Sequence, residues 1–259
     1  MIYKYEEHIS ALDSMKKYPK ELYTLGNIFL LERPKISIVG TRKPSVYTQD
    51  QTKKLALALS KRGICLVSGA AMGVDALVHQ SAGFPNTIAV VANSLDIRYP
   101  SINRHLIESI EKEGLLMSQF PVTTKAAPWS FVVRNELVVA LGDVLIVTEA
   151  DENSGSMRSV EFALKMDKEI YVLPQRIGES NGTNSLLEKG LAKPIYDIEN
   201  FANKYGIVPQ SEVVPKDEFF YFCQQSPTFD DAVSKFNDRV YEAELEGLIY
   251  IENGLVRLV

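Results

Sequence analysis

Between residues 35 and 200, short apolar runs alternate with longer segments of mixed polarity. The apolar runs are continuous and rich in β-branched residues, which is typical of parallel strands that are buried on both faces. Six strands are predicted, at residues 36–39, 64–67, 87–91, 115–118, 144–147 and 170–173. Four helices are predicted between them, at residues 46–62, 101–113, 133–141 and 156–168. This alternation predicts an α/β fold with a doubly wound, mostly parallel sheet.

The two ends of the chain do not follow this alternation. We interpret residues 1–34 as a short N-terminal lead-in and residues 35–205 as the α/β domain. Residues 206–215 are polar and contain proline, so they are predicted to be a linker. Residues 216–259 contain three helical segments and then a hairpin with the turn Asn253-Gly254. This order of elements predicts a small winged-helix-like domain.

The composition is that of an ordinary globular protein, with 46% hydrophobic and 24% charged residues in a chain of 259. A chain of this length can bury a sizeable core without disulfides or metals. Its two cysteines, Cys65 and Cys223, are too few and too far apart for a disulfide framework or a zinc motif. No stretch approaches 18 apolar residues, and the first residues, MIYKYEEHIS, lack the apolar core of a signal peptide. We therefore expect a reducing, cytoplasmic location.

The net charge of −5 is distributed unevenly along the chain. Residues 206–259 contain four basic and ten acidic side chains, whereas the preceding residues are nearly neutral. A local basic groove is therefore compatible with the α/β domain. The third predicted C-terminal helix, DRVYEAELEG, has one arginine and three glutamates and would repel phosphates. We interpret the C-terminal domain as a packing or protein-contact module, and direct reading of DNA is the alternative.

Three loops that follow predicted strands are rich in small and polar residues. GTRK follows the first strand, SGAAMG follows the second, and NSGS lies shortly after the strand at residues 144–147. Such loops converge at the carboxyl ends of the strands, where open α/β sheets bind their ligands. Glycines let the backbone approach an anion, and helix N-termini attract it. The three loops predict a phosphate-binding surface, although tight strand-to-helix turns also require glycine for structural reasons alone.

Catalytic chemistry has weaker support in the sequence. The three histidines are scattered, and His79 is predicted to lie on a helix surface. Glu149, Asp151 and Glu152 could hold Mg²⁺, but we interpret them as a solvated acidic loop. Asp75, in the first turn of its helix, is predicted to have a structural role. We predict no catalytic residue, no metal ligand and no cofactor.

The stretch KAAPWSFVVRNELVVALGD places aromatic and polar side chains close together at the same surface. Trp129, Phe131, Arg134 and Asn135 fall within seven residues. Aromatic rings beside arginines suit base stacking combined with phosphate pairing along a single strand. The alternative is that Phe131 belongs to the core and that Trp129 covers a loop.

The order and spacing of these motifs resemble the DprA/Smf family, the DNA-processing proteins of bacterial natural transformation. The resemblance runs from YPKELYTLGN through IVGTRKPS, LVSGAAMGVD and FVVRNELVVALGD to SGSMRS and ESNGTNSLLEKGLA. It implies an extended Rossmann-like fold that binds single-stranded DNA without sequence preference and protects it. It also implies loading of RecA during recombination and homodimerisation. We predict that the protein is not an enzyme.

Carried over by position, the resemblance implies that four segments contact single-stranded DNA. The implied contacts are Gly40, Thr41, Arg42, Lys43, Ser68, Gly69, Ala70, Ala71, Phe131, Arg134, Asn135, Ser154, Gly155 and Ser156, and the aromatic stretch adds Trp129 as a predicted contact. The chain departs from the family pattern at MRSVE, where many members have Leu-x-Thr-Ala, and at Trp129-Ser130, where a glycine and a histidine are frequent.

Two other functions are possible on the same scaffold. Nucleoside-monophosphate phosphoribohydrolases of the related lysine-decarboxylase-like family carry a P-G-G-x-G-T-x-x-E loop with a catalytic glutamate. In this chain Ser156 occupies the threonine position and Ser159 the glutamate position, and Glu161 lies two places too far along. The other possibility is a sensor of signalling nucleotides.

Overall fold

The structure, a computed structural model, describes residues 2–208 and 218–258. The chain divides into two compact units, residues 1–208 and residues 209–259. Most of the linker predicted at residues 206–215 falls on residues 209–217 and lies outside the described residues.

The first unit is built around one large sheet. Its strands are β1 (Tyr3–Lys4), β2 (Tyr23–Gly26), β3 (Lys35–Val39), β4 (Cys65–Ser68), β5 (Thr87–Val90), β6 (Leu115–Ser118), β7 (Leu145–Val147), β8 (Ile170–Val172) and β9 (Lys193–Pro194). They follow the order β1-β2-β6-β5-β4-β3-β7-β8-β9. Strands β3 to β9 run parallel to one another, whereas β2 is antiparallel to β6 and β1 is antiparallel to β2 at one edge. The predicted α/β fold with a large, mostly parallel sheet is confirmed.

Helices cover both faces of this sheet. They are α1 (Val46–Ser60), α2 (Val74–Ala82), α3 (Arg104–Glu113), α4 (Pro128–Leu141), α5 (Gly155–Lys165), α6 (Asn181–Glu188) and α7 (Ile198–Ala202). Alternate strand residues divide between the two faces, so Ile38 packs with α1 and α2 whereas Val39 packs with α4 and α5. Within the described residues, no helix combines the length and the apolarity that a membrane crossing requires.

The predicted strands and helices of this unit are present with shifts of up to five residues at their ends, the largest at the start of α4, but the sequence pattern predicts no strand before residue 35. There, β2 pairs with β6 in antiparallel register, with Tyr23 opposite Ser118 and Leu25 opposite Leu116. The segment YTLG is short and ends in glycine, so its own pattern is weak. It becomes a strand because β6 would otherwise be an open sheet edge.

The second unit contains three helices and a hairpin, in the predicted order. Its elements are α8 (Glu218–Cys223), α9 (Phe229–Phe236), α10 (Asp238–Leu245), β10 (Ile249–Glu252) and β11 (Leu255–Leu258). The hairpin turn has positive φ at both Asn253 and Gly254, as a tight Asn-Gly turn requires. Phe219 and Val240 belong to the small core of this unit. The glutamates of α10 and of its C-terminal cap are exposed, which leaves an acidic helix surface.

Candidate functional site

The order of the strands reverses at β3. From there the chain winds outwards through β4, β5 and β6 on one side and through β7, β8 and β9 on the other. The connections that leave β3 and β7 therefore diverge to opposite faces and open a crevice at the carboxyl ends of the two strands. A cavity of about 400 Å³ lies at this point, between the loops after β3, β4 and β7 and the first turns of α4 and α5. We call it the crevice.

The loop after β3 forms one wall of the crevice and is tied to its neighbours through the backbone. The amide of Thr41 donates to the carbonyl oxygen of Glu149 at 2.9 Å, and the amide of Val74 donates to the carbonyl oxygen of Thr41 at 3.1 Å. Gly40 is needed here, because a Cβ would lie 2.6 Å from Cγ2 of Val74. The loop is therefore held rigidly between α2 and β7.

Arg42 projects from this rigid loop and is exposed. Its guanidinium lies over the ring of Phe131, 5.6 Å from the ring centroid. With the described residues it forms no hydrogen bond or ion pair, so its planar donors are available to a ligand. The crevice therefore presents a cation beside an aromatic face.

Helix α4 begins earlier than the sequence pattern indicates, at Pro128. The hydroxyl of Ser130 accepts a hydrogen bond from the Ala127 amide at 2.9 Å and stabilises the first turn. The helical spacing then places Phe131, Arg134 and Asn135 on one face, towards the crevice. Trp129 precedes Phe131 by two positions and lies on another side of the helix.

Trp129 is therefore not among the residues that line the crevice. Its ring packs edge-on against Phe120, with the centroids 5.5 Å apart. More than half of the side chain stays exposed. Of the two predicted stacking residues, the structure brings only Phe131 to the crevice.

Arg134 lies below Phe131 and is buried, with 5% of its surface exposed. Its Nη1 donates to the carbonyl oxygens of Gly69 and Val90 and lies 4.0 Å from the carboxylate of Asp75. A Cβ on Gly69 would collide with this guanidinium. This geometry indicates that Arg134 holds the loop after β4 in place, and its predicted contact with DNA stays a prediction.

Two side chains of α2 hold the same loop through its amides. The carboxylate of Asp75 accepts from the amide of Ala71 at 3.3 Å, and Nε2 of His79 accepts from the amide of Ala70, also at 3.3 Å. Burial raises the pKa of Asp75, and the nearby Arg134 opposes that rise. These contacts agree with the structural role that is predicted for Asp75 from its position in the first helical turn.

The predicted surface position of His79 is wrong, because its face of α2 packs towards the sheet and the residue is fully buried. Its Nδ1 lies 2.5 Å from the hydroxyl of Thr87, which itself donates to the carbonyl oxygen of Leu66. Thr87 therefore accepts from Nδ1, and Nε2 is left free to accept from the Ala70 amide. Burial, together with the charge of Arg134, lowers the pKa of His79 to about 3.

The buried His79 is expected to make the first unit less stable in mild acid. Its folded pKa lies below the ordinary value of 6.5, so the unfolded chain binds the proton first and stability is lost as the pH falls below 6.5. Between pH 6.5 and pH 5 the free energy of unfolding should decrease by roughly 1.5–2 kcal/mol more in the parent protein than in His79→Gln. Urea unfolding, followed by the fluorescence of the single tryptophan, Trp129, measures this difference. Equal pH dependence of the two proteins would contradict the role of His79.

The N-terminus of α5 forms the opposite wall of the crevice. Ser154 precedes the helix, and Gly155, Ser156 and Ser159 line the cavity with it. The hydroxyl of Ser154 is buried and has no hydrogen-bond partner among the described residues. The first amides of an α-helix have no partner within the helix and attract anions. This wall can therefore bind a phosphate opposite Arg42.

The acidic residues near this wall do not line the cavity. The carboxylate of Glu149 accepts hydrogen bonds from the amide and hydroxyl of Ser45 at 3.0 and 2.9 Å, and it thereby holds the start of α1. Glu161 is exposed and pairs with Arg158 at 3.0 Å on the surface of α5. The carboxylate of Glu161 is therefore outside the crevice.

The crevice brings together most of the residues predicted to contact DNA. Of those predicted residues, the ones that line it are Gly40, Thr41, Arg42, Ala71, Phe131, Arg134, Asn135, Ser154, Gly155 and Ser156, and Val39, Asp75 and Ser159 complete the lining. Gly69 instead lines a smaller adjoining cleft, and Lys43 is exposed beside the crevice. Ser68 and Ala70 are buried, with the hydroxyl of Ser68 donating to the carbonyl oxygen of Ile38 at 2.7 Å.

Sequence reasoning did not assign Ser159 or Tyr99 to this surface. Ser159 lines the crevice because it lies three positions after Ser156 on the same face of α5, so helical spacing could have found it. Tyr99 lies in the loop after β5, and its ring centroid is 6.3 Å from that of Phe131. The loop that contains Tyr99 follows a parallel strand, as the three small-residue loops do. It lacks the glycines by which those three loops were identified.

An open, mostly parallel α/β sheet with helices on both faces and a crevice at its switch point defines a Rossmann-like fold. The chain belongs to the DNA recombination-mediator protein A family, whose sequence model matches residues 1–206. The resemblance to DprA/Smf proteins is thereby confirmed.

Several proteins of known name are similar to this chain. It is 32% identical to Protein Smf of Synechocystis sp. over 80% of this chain and 56% of that protein. It is 31% identical to DNA processing protein DprA of Bacillus subtilis over 73% of this chain and 65% of that protein. The chain thus spans about three-fifths of the length of these relatives.

Two solved structures share the fold. One is DNA processing protein A from Helicobacter pylori, studied for its binding of single-stranded DNA, with 44% identity and a TM-score of 0.77 over 78% of this chain and 94% of that one. The other is DprA from Streptococcus pneumoniae, with 28% identity and a TM-score of 0.71 over 77% of this chain and 71% of that one.

Proposed function

We propose that the crevice binds single-stranded DNA without sequence preference. The observation that carries this proposal is the position of Arg42, which has no hydrogen bond or ion pair with the described residues and lies over Phe131, opposite the N-terminus of α5. Phosphates pair with the guanidinium and with the helix amides, and a base stacks on the aromatic face. Since phosphates and ring faces are common to all nucleotides, this arrangement binds a strand without recognising its base sequence.

The wider role that we propose is protection of the strand and the loading of RecA onto it during recombination in natural transformation. A cytoplasmic homodimer with no enzymatic activity would perform this role. Membership of the DNA recombination-mediator protein A family supports it. We assign DNA binding to the first unit, because α10 of the second unit presents exposed glutamates that repel phosphates.

The alternative function is that of a nucleoside-monophosphate phosphoribohydrolase. Its catalytic glutamate would have to face the ligand, but Ser159 occupies that place in the crevice and Glu161 pairs with Arg158 outside it. The geometry therefore favours binding over hydrolysis.

Gel shifts with the full chain test the proposal directly. We expect tight binding of a single-stranded oligonucleotide, weaker binding of the corresponding duplex and no hydrolysis of nucleoside monophosphates. The single strand should bind more tightly than the duplex because its bases are free to stack on Phe131, whereas those of a duplex are already stacked. Release of ribose phosphate at enzymatic rates, or equal affinity for duplex, would overturn the proposal.

A further inference from the structure

A second large cavity lies between the start of α1 and the loop after β8. Its volume is about 510 Å³, which exceeds that of the crevice. The first residues of α1 and the loop after β8 both contribute to its lining, which consists of Ser45, Val46, Tyr47, Pro174, Gln175, Arg176 and Glu179. None of these residues lines the crevice. The two spaces are therefore separate, and we call this one the α1 cavity.

The cation of the α1 cavity is Arg176, which projects from a loop that is fixed through its backbone. The carbonyl oxygen of Arg176 accepts from the amide of Glu179 at 3.0 Å and from Nδ2 of Asn184 at 3.1 Å. Gly178 has φ of 85°, as the third residue of such a turn requires. The side chain of Arg176 is exposed and forms no hydrogen bond or ion pair with the described residues. Its planar donors are therefore available to an anion.

The first residues of α1 add an aromatic ring to this cavity. Oγ of Ser45 accepts from the amide of Thr48 at 3.2 Å, and the carboxylate of Glu149 accepts from the amide of Ser45 at 3.0 Å, so the start of the helix is fixed. Nε2 of Gln175 donates to Oγ1 of Thr48 at 3.0 Å and ties the loop after β8 to the same helix. Tyr47 lines the cavity and is 46% exposed. The α1 cavity thus combines a cation and an aromatic ring on two fixed segments, as the crevice does.

The loop after β3 joins the two spaces. Arg42 lines the crevice and Ser45, three positions further along, lines the α1 cavity. Since an extended chain spans at most roughly 3.5 Å per residue, the Cα atoms of these two residues lie within about 11 Å of each other. Lys43, which lies between them in the sequence, is exposed. A strand bound at Arg42 can therefore reach the α1 cavity within a few nucleotides.

We propose that the α1 cavity is a second subsite for single-stranded DNA, occupied by a nucleotide outside the crevice. The guanidinium of Arg176 pairs with a phosphate of that nucleotide, and its base packs against the ring of Tyr47. This inference rests on the proposed function, since it places a further nucleotide of the same strand. It extends the contact with DNA from the ends of β3 and β7 to the end of β8.

Glu179 opposes the binding of an anion in this cavity. It is the acidic residue among those that line the cavity, it is exposed, and its carboxylate has no ion pair with the described residues. It lies at the other end of the turn that begins at Arg176. Because Arg176 attracts a phosphate and Glu179 repels it, replacing the two residues should change the affinity for DNA in opposite directions.

Replacing Arg176 tests the phosphate contact. The probe is an oligonucleotide of about sixteen thymidines, the upper end of the site sizes of single-strand binding folds. We expect Arg176→Ala to bind it about tenfold more weakly, near the lower end of the range for a hydrogen bond to a charged group. The slope of log affinity against log salt should fall by about 0.7. Lys61→Ala is the matched control, because Lys61 is an exposed cation at the other end of α1. An equal loss of affinity in the two variants would overturn the assignment.

Replacing Glu179 tests the same contact in the opposite direction. Glu179→Gln removes the repelling charge and keeps the size of the side chain, so it should bind the same oligonucleotide several-fold more tightly. A gain in affinity cannot come from a damaged fold. Unchanged or weaker binding by Glu179→Gln would contradict a phosphate beside Arg176.

Photo-crosslinking tests the position of the base. In the probe, 5-iodouracil replaces thymine, and irradiation then joins bases to the aromatic side chains that they contact. We expect mass spectrometry to find crosslinks at Phe131 and at Tyr47. Phe29 is the control, because it is exposed but precedes β3, at the amino ends of the strands, and it should not crosslink. Crosslinks at Phe131 without any at Tyr47 would overturn the placement of a base in the α1 cavity.

The outcomes separate this inference from the proposed function. If the parent protein does not bind single strands, both are overturned. If binding depends on Arg42 but Arg176→Ala and Glu179→Gln both bind like the parent, the proposed function stands and the second subsite is overturned. Opposite changes in these two variants, together with a crosslink at Tyr47, support the second subsite.

Discussion

Replacing Arg42 by alanine is expected to weaken the binding of single-stranded DNA by about 1.5–3 kcal/mol, the range for hydrogen bonds to charged groups. Arg42 is exposed, free of ion pairs with the described residues and held on a loop that is tied to α2 and β7. Its planar donors can pair with two phosphate oxygens at once. The slope of log affinity against log salt should fall by about 0.7, the single-strand value for one phosphate. Fluorescence anisotropy across a salt series measures both quantities.

Two further variants separate charge from geometry and stacking. Arg42→Lys keeps the charge but loses the planar fork, so it should keep the salt slope and recover part of the affinity. Phe131→Ala should cost roughly 1–3 kcal/mol through lost stacking, with a nearly unchanged salt slope. Because Arg42 lies over Phe131, we expect the two alanine replacements to be non-additive. If Arg42→Ala binds like the parent at every salt concentration, the loop after β3 is a structural turn and its assignment to DNA must be withdrawn.

Replacing Gly73 by alanine is expected to lower the free energy of unfolding of the first unit by roughly 2–5 kcal/mol, from backbone strain and overpacking together. Gly73 has φ of 77° and ψ of −126°, a region that residues with a Cβ rarely adopt. A Cβ there would also collide with the carbonyl oxygen of Thr41 and lie 2.6 Å from Cα of Arg42. These are backbone atoms and cannot rotate away. The folded fraction should therefore also bind DNA more weakly, because Arg42 is displaced.

Gly63→Ala is the matched control for this prediction. Gly63 also has a positive φ, of 79°, but a Cβ there would meet nothing within 4 Å. Gly63→Ala should be destabilised only by conformational strain, about 1–2 kcal/mol. It should bind DNA like the parent protein. Urea unfolding followed by Trp129 fluorescence compares the two variants in the same unit. Equal destabilisation of the two variants would show that the close approach of the two loops at Gly73 contributes nothing to the cost of adding a Cβ there.

Local patterns predicted the regular part of the fold well, for a physical reason. The strands β3 to β8 are buried on both faces, so each is mostly apolar, and such runs stand out against amphipathic helices. The turn at Asn253-Gly254 was equally predictable, because both residues adopt positive φ easily. Strand β2 was not predictable in this way, because its pairing with the edge of β6 decides its conformation.

Within the site, the residue types were visible in the sequence but their orientations were not. The glycine-rich loops, Arg42 and the aromatic stretch could all be predicted, since close backbone approach and phosphate binding demand those residues. The first turn of α4 depends on the contact of Ser130 with Ala127, and that turn sends Phe131 to the crevice and Trp129 away from it. The burial of His79 likewise depends on the packing of α2 against the sheet.

The sequence by itself therefore determined the fold class, the three small-residue loops and the family, because strand burial, tight turns and anion binding each restrict the local residue types. Only the tertiary structure decided which loops share the crevice, since the strand order places β3 next to β7 although more than 100 residues separate them. It also decided that Arg134 supports the loop after β4 from below, while Arg42 has no hydrogen bond or ion pair with the described residues. Those roles depend on what surrounds each guanidinium, and the surroundings come from distant parts of the chain.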